Sequence, residues 1–259
     1  MSTATDDAPA PLNIIYRDEQ LVAIDKPSGL LVHRSPIDRH ETRFAIQLLR
    51  DQIGQRVYPL HRLDKPTSGV LLFALSPEIA KQMREQWESG GVSKDYLALV
   101  RGYGPEQRLL DHPLKYQPDR LGDADKKTGA VQEARTEFTR LACVEISEAV
   151  DRYPQSRYSL MHCRPLTGRK HQLRRHLKHL SHPIIGDPKY GKSVHNHFFA
   201  RRYGANRLLL AATELNLHHP VTGEPLQICA PLRGRFAHLI REFNWGSSLP
   251  LAWRPHATG

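Results

Sequence analysis

A chain of 259 residues with 39% hydrophobic content has enough apolar material for a sizeable core in one domain. It holds no run of about 18 apolar residues, and its polar, acidic start lacks the basic and apolar stretches of a secretory signal, so a cytoplasmic protein is expected. Lys and Arg number 37 against 27 acids, a net charge of +10, and nine of those cations fall between Arg157 and Lys192 with a single acid, Asp187; excess concentrated in one segment reads as a phosphate-binding surface for a polyanion.

In chain order, residues 1–11 are rich in Ala, Pro, Thr and Asp with nothing to bury, a disordered tail. Residues 13–16 and 21–25 are β-prone runs across the turn signal Asp18-Glu19, a hairpin, and Pro27-Ser28-Gly29 marks the next turn. Phe44, Ala45, Leu48, Leu49 and Ile53 keep a helical stripe. Two apolar runs, 57–60 and 70–75, bracket a polar loop over 61–68. Ser76-Pro77-Glu78 starts a helix whose buried stripe is Ile79, Met83 and Trp87 and whose stop is Gly90-Gly91. Alternation over 92–101 puts Tyr96 on one strand face with Ala98 and Val100. Residues 102–132 are charged and aperiodic, a surface excursion. Strands return at 134–144 and 158–163, and a helix over 169–180 carries the apolar seam Leu173, Leu177 and Leu180 beside a polar stripe of His171, Arg174, Arg175 and Lys178. A hairpin over 208–217 and 226–230 and a helix over 235–243 complete the order. The economical reading is a single α+β domain with a mainly antiparallel mixed sheet and flanking helices. It spans residues 12–245, followed by a C-terminal tail over 246–259.

Chemistry concentrates in His61-Arg62-Leu63-Asp64-Lys65-Pro66-Thr67-Ser68-Gly69, which sets a carboxylate between cations in a strand-fed loop. Arg62 and Lys65 would hold Asp64 ionised, as a nucleophile must be. The competing reading is a turn capped by Asp64 with Thr67 and Ser68. Cys143, Cys163 and Cys229 lie far apart without a CxxC pair, so they suggest neither a disulfide framework nor a cysteine zinc site and read as buried thiols. His171, His176, His179 and His182 lack both HExxH and a cysteine partner and sit among cations that repel a dication, so no metal is expected.

The loop resembles the HRLDxxTSG motif of the RluA-type pseudouridine synthases. Residues 25–33, Asp25-Lys26-Pro27-Ser28-Gly29-Leu30-Leu31-Val32-His33, look like that family's DKPxGxxVH segment, and Lys94-Asp95-Tyr96-Leu97-Ala98-Leu99-Val100 is similar to its KxYxAxV strand. Residues 167–176 with His182-Pro183-Ile184-Ile185-Gly186-Asp187 resemble its third element. The resemblance implies a cofactor-free RNA isomerase with an RNA-binding cleft. In it Asp64 is the catalytic aspartate, Tyr96 packs on the target uracil and Arg174 pairs with the aspartate from its helix. Arg62 would enter the space left by the flipped nucleotide, with His61, Arg169, His171, Arg175 and Lys178 as further RNA contacts. These roles suit the chemistry, since a base must leave the stack before its glycosidic bond can be rearranged, and an aromatic face suits an extruded pyrimidine.

Finer features look like the TruC branch of that family, which modifies uridine 65 of tRNA: residues 31–35 with Asp38-Arg39, residues 50–55, Arg152-Tyr153-Pro154 with Arg157-Tyr158, and the unbroken Gln172-Leu173-Arg174-Arg175-His176-Leu177. The partner expected is therefore tRNA, bound by a monomer without metal or membrane. Ribosomal RNA is the alternative substrate. A catalytically silent RNA-binding protein and a metal-dependent RNA hydrolase are the rivals from other classes; the second lacks the clustered acids of two-metal chemistry.

Overall fold

The protein is described by a computed structural model covering residues 11–34, 40–117 and 130–255. The sequence expectations for residues 1–10, for Ser35, Asp38 and Arg39, for 118–129 of the excursion and for 256–259 of the tail lie outside that description. The expected hairpin forms as β1 (Asn13–Arg17) and β2 (Leu21–Lys26), antiparallel. The stripe at 44–53 becomes α1 (Ala45–Ile53). After a short β3 (Tyr58–Pro59) come β4 (Ser68–Ala74) and α2 (Pro77–Glu88), the latter capped by Ser76, whose hydroxyl accepts from the Ile79 N–H at 3.2 Å. Alternation along β2 and β4 explains their two helices. Val22, Ile24, Leu71 and Phe73 pack against Ala45 and Leu49 of α1, whereas Leu21, Ala23, Val70 and Leu72 pack against Ile79 and Met83 of α2. Each fully buried Val, Leu, Ile, Phe or Met side chain among them contributes roughly 1.5–3 kcal/mol.

The second half repeats this logic on β5 (Ser93–Arg101). It pairs antiparallel with β10 (Ser156–Pro165) on one edge and β11 (Leu210–His218) on the other. Ala98 and Val100 meet Leu173 and Leu177 of α3 (Gln172–His179). Leu97 and Leu99 face the opposite way, into Phe198 and Phe199 of α4 (Ser193–Tyr203) and Phe236 and Ile240 of α5 (Gly234–Glu242). With β6 (Gln107–Asp111), β9 (Arg135–Ile146) and β12 (Pro225–Cys229) the large sheet runs β1-β2-β4-β11-β5-β10-β9-β6, with β12 on β11 and β3 on β4. Among the described strands the one parallel pairing joins β4 to β11 through Ser68–Ala211 and Gly69–Ala212, the seam between the halves. Gly69 sits at φ +108°, and a Cβ there would lie 1.9 Å from the Ala212 carbonyl oxygen.

Five expectations change. The excursion over 102–132 contains β6 (Gln107–Asp111), which extends the sheet beyond β9, and a small pair, β7 (Leu114–Lys115) with β8 (Val131–Gln132). Because β6 buries Leu110 and leaves its other side chains exposed, it has no apolar alternation to read. The helix expected from residue 169 begins at Gln172, since His171 takes a left-handed conformation, φ 55°. Of the polar stripe beside that helix's apolar seam, Arg174 is buried, His171 and Arg175 are half-buried and Lys178 alone is exposed. Residues 246–255, expected as tail, pack onto the domain: Trp253 is buried and its indole N–H donates to Glu214 at 2.7 Å. Of the three thiols, Cys163 is buried, but Cys143 is exposed and Cys229 half-buried.

Candidate active site

The loop between β3 and β4 is held from below by the turn that follows β2. Lys26 is fully buried and its ammonium donates to the carbonyls of Pro27 (2.9 Å), Leu30 (2.8 Å) and Lys65 (3.2 Å). Gly29 N–H also donates to the Lys65 carbonyl at 2.8 Å, and the Ser28 hydroxyl donates to the Pro66 carbonyl at 2.7 Å. Thus the residues 25–30 segment forms the floor of the loop. Thr67 N–H donates to the Asp64 carbonyl at 2.9 Å, closing the turn with backbone and leaving the carboxylate free for another partner. His61 Nε2 accepts the Leu72 N–H at 3.1 Å, and its ring stacks on Trp87 at 5.4 Å. Burial, aided by the Lys94 charge, lowers its pKa to about 3, so it stays a neutral acceptor.

Asp64 Oδ2 accepts from Arg174 Nη1 at 3.0 Å. The rest of that guanidinium is committed to Asp187, with Nε to Oδ2 at 2.8 Å and Nη2 to Oδ1 at 2.9 Å. This two-pronged geometry is the one a planar guanidinium is suited to make. Asp187 is itself fixed by the backbone N–H groups of Lys189 (2.9 Å) and Tyr190 (3.0 Å). Burial opposes the charges of Arg174 and Asp187, but their mutual hydrogen bonds outweigh it, raising the first pKa and lowering the second. Arg174 lies over the Tyr190 ring at 5.2 Å. The side chain of Asp64 keeps 21% of its surface exposed against 5% for Arg174 and none for Asp187, so the one carboxylate of the three groups that meets the cleft is Asp64. Lys65, expected to flank it electrostatically, pairs with Glu41 at 2.7 Å instead.

The cleft over Asp64 measures ≈ 640 Å³, ample for a nucleotide-sized ligand. Tyr96 lines it, half-buried on β5 opposite Cys163 and Ala212. Burial and then the Asp64 charge push its phenol pKa up, so it stays protonated. His171 completes the wall, with Nε2 3.8 Å from Asp64 Oδ2 and Nδ1 3.0 Å from the Tyr190 hydroxyl; burial lowers its pKa to about 4. Arg62 is exposed at the rim. Arg169 lines the cleft while its Nε donates to the Glu133 carbonyl at 2.8 Å, and Arg175 donates to the Lys115 carbonyl at 3.0 Å. Lys178 is exposed one turn on. Of the remaining histidines, His176 binds Thr136 Oγ1 (2.9 Å) and the His112 carbonyl (3.0 Å), and His179 stacks on His112 at 3.7 Å.

Asp187, Tyr190 and Lys26 carry this arrangement and received no role from the sequence. The signal for Asp187 was its standing as the one acid in a run of nine cations. Its position depends on Gly186, where φ is +77° and a Cβ would lie 1.8 Å from the Arg207 carbonyl oxygen, and on Asn196 of α4, whose side chain bonds the Gly186 N–H (2.8 Å) and the Asp187 carbonyl (3.0 Å).

Known proteins share this frame. The chain is 52% identical over 237 residues to tRNA pseudouridine synthase C of Pasteurella multocida, covering 90% of this chain and 97% of that protein. It is 50% identical over 239 residues to the protein of the same name from Vibrio cholerae, covering 92% and 98%. The solved structure of human RNA Pseudouridylate Synthase Domain Containing 4 superposes with a TM-score of 0.67 at 26% identity, over 90% of this chain and 93% of that one. Human RNA Pseudouridylate Synthase Domain Containing 1, at 23% identity and a TM-score of 0.64, shares the fold over 90% and 94%. The family description RNA pseudouridylate synthase matches residues 20–179. With that match spanning all of the loop, the Tyr96 strand and α3, the chain belongs to the RNA pseudouridylate synthase family.

Proposed function

We propose that this chain converts a uridine of tRNA, uridine 65, to pseudouridine, with Asp64 as catalytic carboxylate. The observation that carries the reading is the Asp64 carboxylate held at 3.0 Å by a buried arginine at the floor of a cleft that also presents Tyr96. The relatives that match over nine-tenths of the chain bear the name tRNA pseudouridine synthase C, which favours tRNA over ribosomal RNA.

In the isomerisation the N1–C1′ bond breaks, the uracil turns, C5 bonds to C1′, and the C5 proton is lost while N1 gains one. The balance requires no net electron transfer and hence no redox cofactor. Arg174, fixed by Asp187, offsets the cost of leaving the Asp64 charge in a cleft that a bound base empties of water. The Tyr96 ring offers a stacking face to the extruded base. A role for its hydroxyl in removing the C5 proton would require it first to give up its own, because burial and Asp64 favour the phenol. Exposed Arg62 supplies a planar cation for the gap left in the RNA stack, where opening costs a few kcal/mol. Arg169, His171, Arg175 and Lys178 form the adjoining phosphate-facing wall. On this proposal the protein acts in the cytoplasm as a monomer without metal.

The test is incubation with unmodified tRNA and, separately, with unmodified ribosomal RNA, both in EDTA, followed by carbodiimide-stop mapping. A stop at uridine 65 is expected. Modification of ribosomal RNA alone, shortened RNA, or unchanged RNA would overturn the reading.

A further inference from the structure

A second cavity, of ≈ 400 Å³, lies at the far end of the same strands. Tyr96 and Arg101 are five residues apart on β5, about 17 Å at the rise of an extended strand. α3 spans the same interval, with His171 and Arg174 in the catalytic cleft at its N-terminal end and Ser181 and His182 in the second cavity beyond its C-terminal end. Exposed Lys178 lies between. The two cavities are thus joined by a basic helix.

The second cavity has a built floor. His195 is 4% exposed, its Nδ1 lies 2.8 Å from the Tyr158 hydroxyl, and its Nε2 has no partner among the described residues although it is buried. An imidazole nitrogen left without a partner is costly unless a ligand completes it. When the Tyr158 hydroxyl donates to Nδ1, Nε2 carries the hydrogen and can donate to an oxygen entering the cavity. Arg101 and Arg157 line the same space. One acid, Asp151, also lines the cavity but is paired with Lys192, and Glu145 beside it is paired with Arg157. At the mouth Tyr153 is 58% exposed with the Arg152 guanidinium 5.6 Å from its ring centre, and Tyr103, next along the chain from the lining residue Gly102, is 40% exposed with the guanidinium of Arg157 at 5.1 Å. Cationic groups beside exposed aromatic faces are how unpaired nucleotides are held, by stacking and by phosphate contact.

We propose that this cavity takes one unpaired nucleotide of the substrate RNA, its base on Tyr153, its phosphate against Arg101 and Arg157, and an oxygen on His195 Nε2. The inference rests on the RNA-modifying reading above and adds a second anchor, outside the catalytic cleft, that reads RNA shape beyond the target stem.

The test compares wild type with Tyr153→Ala and Arg157→Ala, both at exposed positions, on full-length tRNA and on a blunt duplex of the same target stem without unpaired nucleotides. Binding is read by anisotropy and turnover by pseudouridine mapping. Each substitution should weaken tRNA binding about ten-fold, the scale of one lost stacking or phosphate contact, raise KM with kcat within about two-fold, and leave duplex binding unchanged. Equal loss on both RNAs, or loss on neither, overturns the second anchor. Wild-type protein that binds tRNA yet forms no pseudouridine would instead overturn the catalytic reading, while the binding comparison still decides the cavity.

Discussion

Arg174 serves two carboxylates with one guanidinium, and the division is unequal: Asp187 takes two hydrogen bonds in full burial, Asp64 takes one at the cleft. A buried pair with one partner removed leaves an uncompensated charge, which costs about 3–5 kcal/mol. Asp187→Asn should therefore lower the urea-unfolding free energy by about that amount and reduce kcat more than it changes KM, because Arg174 is released from its position against Asp64. A variant as stable and active as wild type would show that Asp187 does not set the arginine. At this scale the sequence singled out Asp64, Tyr96 and Arg174 because they stand in recognisable motifs. Asp187, though it ends the third of those elements, and Tyr190 received no role, because their contacts depend on a chain reversal at Gly186 that no local periodicity encodes.

Among the elements, α3 links chemistry to RNA. Its apolar seam, Leu173 and Leu177, was readable as a stripe, but its start was not, since the left-handed turn at His171, where the ring meets Tyr190 and Asp64, leaves no mark in the hydrophobic pattern. α4 escaped because its buried face mixes His195 with Phe198, Phe199 and Tyr203 and Lys192 provides no side-chain cap; the i, i+4 pair Phe199–Tyr203 ahead of Gly204 was the available signal. The replacement of Arg175 and Lys178 together by alanine should weaken tRNA binding and flatten its dependence on salt by about one to two units of slope, as phosphate contacts do. An unchanged slope would take α3 out of the interface. At the seam of the sheet, Gly69→Ala forces a Cβ onto the Ala212 carbonyl in a conformation that favours glycine. It should destabilise by about 3 kcal/mol or more, read as a lowered urea midpoint. A stability equal to wild type would mean that β4 and β11 tolerate separation.

For the whole molecule, the α+β class and mainly antiparallel sheet followed from strand and helix patterning, whereas the parallel contact between β4 and β11 followed from nothing local. One property belongs to the entire fold. Burial lowers the pKa of His61 to about 3 and of His171, His176 and His195 to about 4, from about 6.5 in an unfolded chain. The unfolded chain takes up these protons first as pH falls, so stability is full above about pH 6.5 and declines towards about pH 4. Urea midpoints should be lower at about pH 5 than at about pH 7.5; equal midpoints would contradict the burial of these rings. The central claim, that Asp64 does chemistry on a tRNA uridine, is tested most directly by Asp64→Asn assayed in parallel for tRNA affinity and for pseudouridine at position 65. Affinity within a few fold of wild type with no detectable product is expected, since the carboxylate acts on the transition state more than on docking. Retained product, or loss of binding equal to the loss of turnover, would contradict it.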